Sequence, residues 1–311
     1  MKRCHLVYPH GPRKAAPWSI GNHLAIALRK AGYQVIPYDW EARVRMDVRP
    51  GDLLLGHPHE EPGFAFTDNL WQPFGARVAI APWNGSEPYT RRLAQSEQVL
   101  NAVIPICGPY WADKAPDHWY PLDMAINATH YPRVRQKWNP QGARKILYVG
   151  CTLECKGPDL LSDLAVALAG EMEIHHVGPG LIPGAYPWGY VEMETDKGRA
   201  IAAGCDFVIA PGRADANPTT ILEGVSWGLI PLLTRTSGWD FTEVSSIPFV
   251  DPTNLEGAVG VLRQLNQEPE AWLDSEQARM ISYLQEYMSF ERFTARVLEV
   301  IDNAGSSRRG H

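Results

Sequence analysis

Short apolar runs alternate along the chain with segments in which apolar residues recur at helical spacing. Residues 4–8 form the first apolar run, and residues 20–31 carry one apolar helical face that ends at Gly32. A second apolar run occupies residues 33–38, and further strands are predicted at 53–55, 78–81 and 103–107. Because strands that alternate with helices form parallel sheets, this half of the chain is predicted to be an α/β domain.

A polar, irregular segment at residues 127–142 interrupts the alternation and is predicted to be an interdomain linker. A second α/β series follows, with strands at 145–150, 173–177 and 206–210 and helices at 158–169 and near 197–203. Helices are also predicted at 258–266 and 276–303, and residues 305–311 are predicted to be a disordered tail. We therefore expect an N-terminal domain of residues 1–135, a C-terminal domain of residues 136–290, and a C-terminal helix and tail at residues 291–311.

Length and composition agree with two domains and exclude a membrane-spanning chain. The 311 residues exceed what one hydrophobic core of about 250 to 300 residues holds, and no apolar run approaches the ~18 residues of a membrane span. The first eight residues lack the apolar stretch of a signal peptide. The five cysteines are odd in number and scattered, which favours reduced thiols. These features predict a cytoplasmic protein.

The net charge of −6 is unevenly divided. Residues 1–140 hold 16 Lys and Arg against 12 Asp and Glu, and the remainder holds 13 against 23, so the balances are +4 and −10. The basic first half suits peripheral contact with an anionic membrane face or an anionic acceptor, with an ordinary solvated surface as the alternative. The chain has no recognised nucleic-acid-binding module or basic stripe, and no nucleic acid partner is expected.

The loops that follow the predicted strands of the first domain hold candidate ligand contacts, since ligands of open α/β sheets bind outside the carboxyl ends of strands. These candidates are Trp18, His57, His59, Trp83 and Asn84. Ordinary loop packing is the alternative for His57, and a half-buried core position is the alternative for each Trp. No metal site is predicted, because His57 and His59 beside Glu60 and Glu61 lack a distant third ligand and Cys151 with Cys155 lacks a second pair.

The segment after the strand at 206–210 carries the strongest chemical signal. A loop leads through Asn217 and Pro218 into a helix, with Asn suited to the cap and Pro to the first turn. Such a helix start presents unpaired N–H groups and a positive dipole end, which together bind phosphate. Asp215 lies in the loop and Glu223 lies eight positions on, inside the helix. A solvated surface role is the alternative for Glu223, and a capping role is the alternative for Asp215.

This segment resembles the Glu-x7-Glu region of glycosyltransferase family 4, whose members retain the anomeric configuration of the transferred sugar. The resemblance implies an α/β protein of the GT-B fold, with two Rossmann-like domains facing across a cleft. It places Asp215 on donor-sugar hydroxyls and Glu223 on ribose hydroxyls, although Asp is one methylene shorter than the usual Glu. The turn residues whose amides would meet the diphosphate are Asn217, Pro218, Thr219 and Thr220.

Other parts of the chain follow the order of the same family. Gly150 followed by Lys156 and Gly157 is similar to its Gly…Lys-Gly element, in which the Lys contacts the diphosphate. The Arg that commonly follows the first Gly is Cys151 here, so Arg213 is the expected helper of Lys156, for which a surface role is the alternative. Gly178 matches the glycine at a strand end. In the less similar first domain, His57 stands at a strand end, Asn84 replaces a donor-contacting His, and Trp18 and Trp83 are expected near the acceptor.

The resemblance implies a glycosyltransferase that moves a sugar from a nucleoside-diphosphate sugar to an acceptor hydroxyl with retention of configuration. The N-terminal domain would bind the acceptor and the C-terminal domain the donor, with catalytic roles for Asp215, Lys156 and His57. No cofactor or essential metal is expected, since basic side chains and helix dipoles serve the leaving diphosphate. A sugar-nucleotide epimerase or a phosphorylase on this fold, and a catalytically silent nucleotide-binding module, are the alternatives.

Overall fold

A computed structural model describes residues 2–13, 15–58, 64–86, 90, 93 and 96–306. The chain divides into two compact units. The first unit contains the residues up to Asp123 together with the segment from Phe290 onward, and the second contains Met124–Ser289. No helix among the described residues is both long and apolar enough to cross a bilayer.

The first unit is built on a five-stranded parallel sheet in the order β2-β1-β3-β4-β5. The central strands are buried on both faces, as is usual for parallel sheets covered by helices. The strands are β1 (Arg3–Val7), β2 (Gln34–Tyr38), β3 (Leu53–Gly56), β4 (Ala76–Pro82) and β5 (Ala102–Ile106). Helices α1 (Ala16–Lys30) and α2 (Ala65–Asn69) lie between strands, and α3 (Gly108–Ala112) follows β5. The predicted α/β class is confirmed for this half of the chain.

The second unit holds another five-stranded parallel sheet, in the order β10-β9-β6-β7-β8. Its strands are β6 (Lys145–Val149), β7 (Glu173–Val177), β8 (Tyr186–Gly189), β9 (Phe207–Ala210) and β10 (Ile230–Leu233). Its helices are α4 (Pro158–Ala167), α5 (Asp196–Ala203), α6 (Thr219–Trp227), α7 (Leu255–Asn266) and α8 (Glu270–Tyr287). Apolar residues of α4 and α7 pack with Ile146, Ile174, Phe207 and Ile230 into one core on one face of the sheet.

The segment predicted to be a linker belongs to the second unit, which begins at Met124 rather than at residue 136. It is fixed there by the buried carboxylate of Asp206, which accepts a hydrogen bond from Arg135 at 3.0 Å and from the backbone N–H of Asn139 at 2.9 Å. The Arg135 guanidinium also lies over the Trp138 ring. A buried ion pair that shares further hydrogen bonds holds its segment firmly, so residues 127–142 are ordered structure.

The single helix predicted at 276–303 is wrong, because two helices occupy this range. The first is α8, and the second is α9 (Phe290–Ser306), which belongs to the first unit. Between them, Ser289 pairs with Ile126 in an isolated parallel bridge, and Ile126 donates its N–H to the Met288 carbonyl at 2.9 Å. The apolar periodicity continues through this break, which explains the error. Gly305 and Ser306, predicted to be tail, end α9, and residues 307–311 lie outside the described range.

Candidate functional site

The loops after β6 and β9 leave adjacent strands at the centre of the second sheet. In the order β10-β9-β6-β7-β8, strand β7, which follows β6 in sequence, lies on one side of β6, and β9 lies on the other side. The connections therefore run in opposite directions from this point, and such a topological switch point opens a crevice at the carboxyl ends of the two strands. The predicted donor residues lie on these two loops.

The two loops are in close contact along the backbone. The Cys155 carbonyl accepts hydrogen bonds from the N–H groups of Arg213 and Ala214, at 3.0 and 3.2 Å. Gly157, which ends the short 3₁₀ turn Glu154–Lys156, has φ +69°, and a Cβ at this position would collide with the Pro211 carbonyl oxygen. Only glycine satisfies both the left-handed backbone and this close approach. The Lys156 turn is thereby held against the loop that carries Asp215.

Lys156 and Asp215 form an ion pair across the two loops, with Nζ 2.6 Å from Oδ2. Hydrogen bonds fix both the backbone and the side chain of Asp215. Its N–H donates to the Thr236 carbonyl at 3.0 Å, and its Oδ1 accepts from the N–H of Ala216 at 2.9 Å. Arg213, the expected helper of Lys156, pairs instead with Asp159 on the surface. The structure thus brings the predicted carboxylate of Asp215 and the predicted ammonium group of Lys156 together, and it gives Arg213 a different partner.

The start of α6 differs from the prediction in its cap. The N-cap is Pro218, and no side chain caps the helix. The Asn217 side chain points elsewhere: its Oδ1 accepts from the N–H of Met124 at 2.6 Å, and its buried Nδ2 has no hydrogen-bond partner within the described part of the chain. The first helical amides, those of Thr219 and Thr220, have no intrahelical acceptor by position. An uncapped helix start therefore lies directly after the Asp215 loop.

Glu223 lies on α6 in a half-buried cluster with two residues that the sequence analysis missed. The Tyr131 hydroxyl hydrogen-bonds the Glu223 carboxylate, and the Glu194 carboxylate lies beside the same hydroxyl. Burial raises the pKa of Glu223 to about 7, the Glu194 charge adds to the rise, and the hydrogen bond from Tyr131 opposes it. Tyr131 is itself fixed by ring packing on Trp227, with centroids 5.8 Å apart. These contacts join residues that are far apart in sequence, so no local sequence pattern predicts them.

Two further predicted glycines shape the floor of the crevice. A Cβ on Gly150 would lie 2.7 Å from the Tyr148 hydroxyl, which donates to the Cys151 carbonyl at 2.7 Å. A Cβ on Gly178 would collide with the Gly150 carbonyl, which also accepts from His176 Nε2 at 3.0 Å. The loops after β6 and β7 therefore touch through backbone atoms at these two positions.

The predicted residues of the first unit lie at the carboxyl ends of neighbouring strands, but one of them is a core residue. His57 follows β3, the strand next to β1, and its ring packs edge-on against Tyr8 and Trp40. Trp83 is only 3% exposed, its Nε1 donates to Thr90 Oγ1 at 2.9 Å, and its ring meets Trp119. A covered ring cannot stack on a sugar, so the acceptor role predicted for Trp83 is replaced by the core alternative.

Trp18 and Asn84 remain accessible in part. Trp18 is half-buried on α1, with the Arg13 guanidinium 5.0 Å from its ring. Asn84 is half-buried, and its Oδ1 accepts from the N–H of Ser86 at 3.1 Å. His59, Glu60 and Glu61 lie outside the described residues. Within the described ranges, no three His, Cys, Asp or Glu side chains are grouped so that they could hold a metal ion.

Comparison with known proteins relates the chain to glycosyltransferases. No family model matches it. A glycogen synthase from Rhizobium rhizogenes (strain K84 / ATCC BAA-868) is 27% identical in an alignment of 168 positions, which covers 45% of this chain and 35% of that protein. The match thus spans about a third of that curated relative.

Two solved structures are similar over almost the whole chain. Sucrose-phosphate synthase from Thermosynechococcus elongatus has a TM-score of 0.70 at 12% identity, covering 99% of this chain and 100% of the other. The Anabaena protein HepE, solved with UDP and glucose, has a TM-score of 0.65 at 9% identity, covering 97% and 100%. At such identities the likeness concerns the fold, and the predicted GT-B fold is confirmed.

Proposed function

We propose that this protein is a glycosyltransferase that moves a sugar from a nucleoside-diphosphate sugar to an acceptor hydroxyl with retention of configuration. The observation that carries the proposal is the meeting of Lys156 and Asp215 at the switch point of the second sheet, 2.6 Å apart and beside an uncapped helix start. Anions bind at helix starts that combine free N–H groups, a positive dipole end and a nearby cation.

The diphosphate fits this helix start by charge and by hydrogen bonding. The amides of Thr219 and Thr220 are donors without intrahelical acceptors, and Lys156 supplies the positive charge. A leaving diphosphate gains negative charge as its bond to the sugar breaks, so donors fixed in advance stabilise the transition state more than the ground state. Lys156, Thr219 and Thr220 are the residues that we assign to this task, in the absence of any predicted cofactor.

The two acids serve the remaining parts of the donor. Glu223 accepts hydrogen bonds from ribose hydroxyls, and its half-buried position and its contact with Tyr131 support this assignment. Asp215 lies nearer the loop turn and accepts from hydroxyls of the sugar. Donor binding then replaces part of the ion pair between Asp215 and Lys156, since Lys156 turns its charge to the diphosphate. The likeness of this chain to a glycogen synthase and to a structure that holds UDP and glucose supports a nucleotide-sugar donor.

The acceptor is assigned to the first unit, where His57 follows β3, Asn84 lies in the loop after β4 and Trp18 lies in the first turn of α1. The acceptor oxygen attacks the anomeric carbon on the face from which the diphosphate departs. The new bond from carbon to oxygen forms as the bond from carbon to phosphate oxygen breaks, and the acceptor proton passes to the departing phosphate oxygen. Attack on the same face leaves the configuration unchanged.

The proposal is tested by incubating the protein with UDP-glucose, ADP-glucose and GDP-mannose, with and without a panel of hydroxyl acceptors, and measuring free nucleoside diphosphate. Acceptor-dependent release that disappears in Asp215→Asn supports transfer, and proton NMR of the product's anomeric signal decides retention. An isomerised donor indicates an epimerase instead. Binding of nucleotide without turnover for any acceptor contradicts the catalytic proposal and leaves a silent nucleotide-binding module.

A further inference from the structure

A group of stacked aromatic rings lies on the outer part of the second sheet. Its members are His175 on β7 and Tyr186 and Trp188 on β8, and we call these three residues the aromatic platform. β8 is the edge strand of its sheet, and Tyr186 is its first residue. The donor loops follow β6 and β9, whereas the platform lies on β7 and the edge strand β8.

The three rings of the platform are in mutual contact, and His175 is buried beneath Tyr186 and Trp188, which remain at least partly open to solvent. The Tyr186 and His175 centroids are 5.3 Å apart, and the Tyr186 and Trp188 centroids are 4.9 Å apart. Tyr186 is 54% exposed, and Trp188 is partly exposed. A packed core would bury such rings, and a solvated surface would not need them. Large exposed aromatic groups on a folded surface are typical of binding sites.

A chain of polar contacts holds the platform in one orientation. The indole N–H of Trp188 donates to His175 Nδ1 at 3.0 Å. An indole nitrogen only donates, so Nδ1 is the acceptor and the proton of neutral His175 is on Nε2, which donates to Glu173 Oε2 at 3.0 Å. Glu173 also pairs with Lys145 at 2.9 Å. Burial lowers the pKa of His175 and keeps it neutral. The rings are thus preorganised, which reduces the entropic cost of binding.

This combination of groups matches a sugar ring. A pyranose has a face of C–H bonds that packs on an aromatic face, and a rim of hydroxyls that donate to carboxylates and accept from ammonium groups. Glu173 is largely exposed beside the rings, and Lys145 is its neighbour. Met124–Ser289, which form this unit, hold 12 Lys and Arg against 20 Asp and Glu, and this balance of −8 disfavours a sulfated or phosphorylated chain on the unit. An uncharged saccharide is therefore the ligand class that fits.

We propose that the aromatic platform is a carbohydrate-binding surface for an uncharged hexopyranose oligosaccharide, separate from the donor site. Tyr186 and Trp188 supply the faces on which sugar rings stack, and Glu173 and Lys145 supply hydrogen bonds to the hydroxyls. This surface would hold a long saccharide at a second point along its length. The proposal does not depend on catalysis, since it concerns binding alone.

The test measures binding of maltoheptaose, cellohexaose and mannohexaose to the full chain by isothermal titration calorimetry without nucleotide. We expect saturable binding of at least one probe, weakened about five- to tenfold in Tyr186→Ala and in Trp188→Ala, as the loss of one stacking contact implies. Trp71→Ala, which removes an exposed Trp of the first unit, is the matched control and should leave binding unchanged. Trp188→Phe keeps a ring without the N–H and should retain most of the affinity.

Three results would overturn the proposal. One is the absence of binding for all three probes, and another is equal binding by the wild type and by both alanine variants whose thermal unfolding shows that they are folded. The third is concentration-dependent self-association in sedimentation experiments that Trp188→Ala abolishes, because an open edge strand can also pair with a second copy. Repeating the titration in Glu223→Ala separates this surface from the donor site, since that variant should bind saccharide normally even if it binds no nucleotide.

Discussion

The Nζ atom of Lys156 lies 2.6 Å from Oδ2 of Asp215, although the two residues are 59 positions apart. The pair joins the loop after β6 to the loop after β9 at the switch point of the second sheet. Its positive member is the residue that we assign to the diphosphate, and its negative member is the residue that we assign to the sugar. Before the donor binds, each charge neutralises the other.

Replacement of Lys156 by Ala should weaken nucleoside diphosphate binding by about 1.5 to 3 kcal/mol, the usual loss for a hydrogen bond to a charged group. The free energy of unfolding should change by less than about 1 kcal/mol, since partly exposed ion pairs contribute little. Calorimetric titration with UDP, ADP and GDP measures the first quantity, and urea unfolding measures the second.

Lys145→Ala is the control for this experiment. The Lys145 side chain is 32% exposed against 31% for Lys156, and it also pairs with a carboxylate, Glu173 at 2.9 Å. It begins β6, whereas the donor loop follows the end of that strand. Nucleotide affinity should therefore be unchanged in Lys145→Ala, and an equal loss in both variants would remove Lys156 from the site.

Nucleotide binding should release protons from Glu223 near neutral pH. Burial raises the pKa of this carboxyl to about 7, so about half of the free molecules carry the proton at pH 7. Ribose hydroxyls that donate to the carboxylate favour its charged form and lower this pKa. Titration at pH 7 in two buffers of different ionisation enthalpy should show about half a proton more released by the wild type than by Glu223→Gln. Equal release by both proteins would argue against a ribose contact.

The same carboxyl should make stability fall as pH rises. The pKa of Glu223 is higher in the folded protein than its ordinary value of 4.5, so the folded state binds this proton more tightly than the unfolded chain. That contribution is complete below about pH 4.5 and is lost as pH rises through about 7. Urea unfolding at pH 8 should find Glu223→Gln more stable than the wild type, with a smaller difference at pH 5. A difference that does not change with pH would contradict the buried charge.

Asn217 should serve stability and nucleotide binding by separate atoms. Asn217→Ala removes the acceptor of the buried Met124 N–H and should cost about 1 to 3 kcal/mol of unfolding free energy. Asn217→Asp keeps that acceptor but places a negative charge at the start of α6, so it should bind nucleoside diphosphate about tenfold more weakly. Asn254→Ala, which removes the cap of α7, should lower stability by about 1 kcal/mol without affecting the nucleotide. Wild-type affinity in Asn217→Asp would show that the diphosphate does not meet this helix start.

Gly157→Ala should be far more damaging than Gly170→Ala. The two glycines have similar backbone angles, φ +69° and +81°, so the cost of a left-handed alanine, about 1 to 2 kcal/mol, is common to both. A Cβ on Gly170 meets open space, whereas one on Gly157 collides with the Pro211 carbonyl. Only Gly157→Ala should therefore separate the Lys156 turn from the Asp215 loop. Similar unfolding midpoints and similar nucleotide affinities for the two variants would refute the close approach.

The regular elements were predictable wherever one local pattern decided them. Strands β3 and β9 are continuous apolar runs, and Gly32 ends the first helix near the position expected from sequence. Edge strand β8, with exposed Tyr186 and Pro187, lacks such a run and was missed. The break at Ser289 was also missed, since it depends on pairing with the distant Ile126.

Each donor loop was predictable because the residues of its own motif lie close together in sequence, and the partners of those residues were not predictable. Lys156, Asp215 and Glu223 follow from local motifs that resemble a known family. The contacts of Glu223 with Tyr131 and Glu194 depend on how separate segments fold together. The side chain of Asn217 suits a helix cap by composition, but the N–H of Met124 offers it a different partner. Burial of Trp83 depends likewise on neighbours such as Trp119.

The ring of Phe290 on α9 stacks on His23 of α1, with the centroids 4.1 Å apart. Helix α9 thus belongs to the first unit, although it follows the whole second unit in sequence. During synthesis, the ribosome releases all of Met124–Ser289 before this helix emerges. The apolar surface of the first unit that α9 covers therefore stays exposed during this time, whereas the second unit already has all the residues of its own core. In nascent chains stalled shortly before Phe290, the first unit should therefore need chaperones, and the second unit should not.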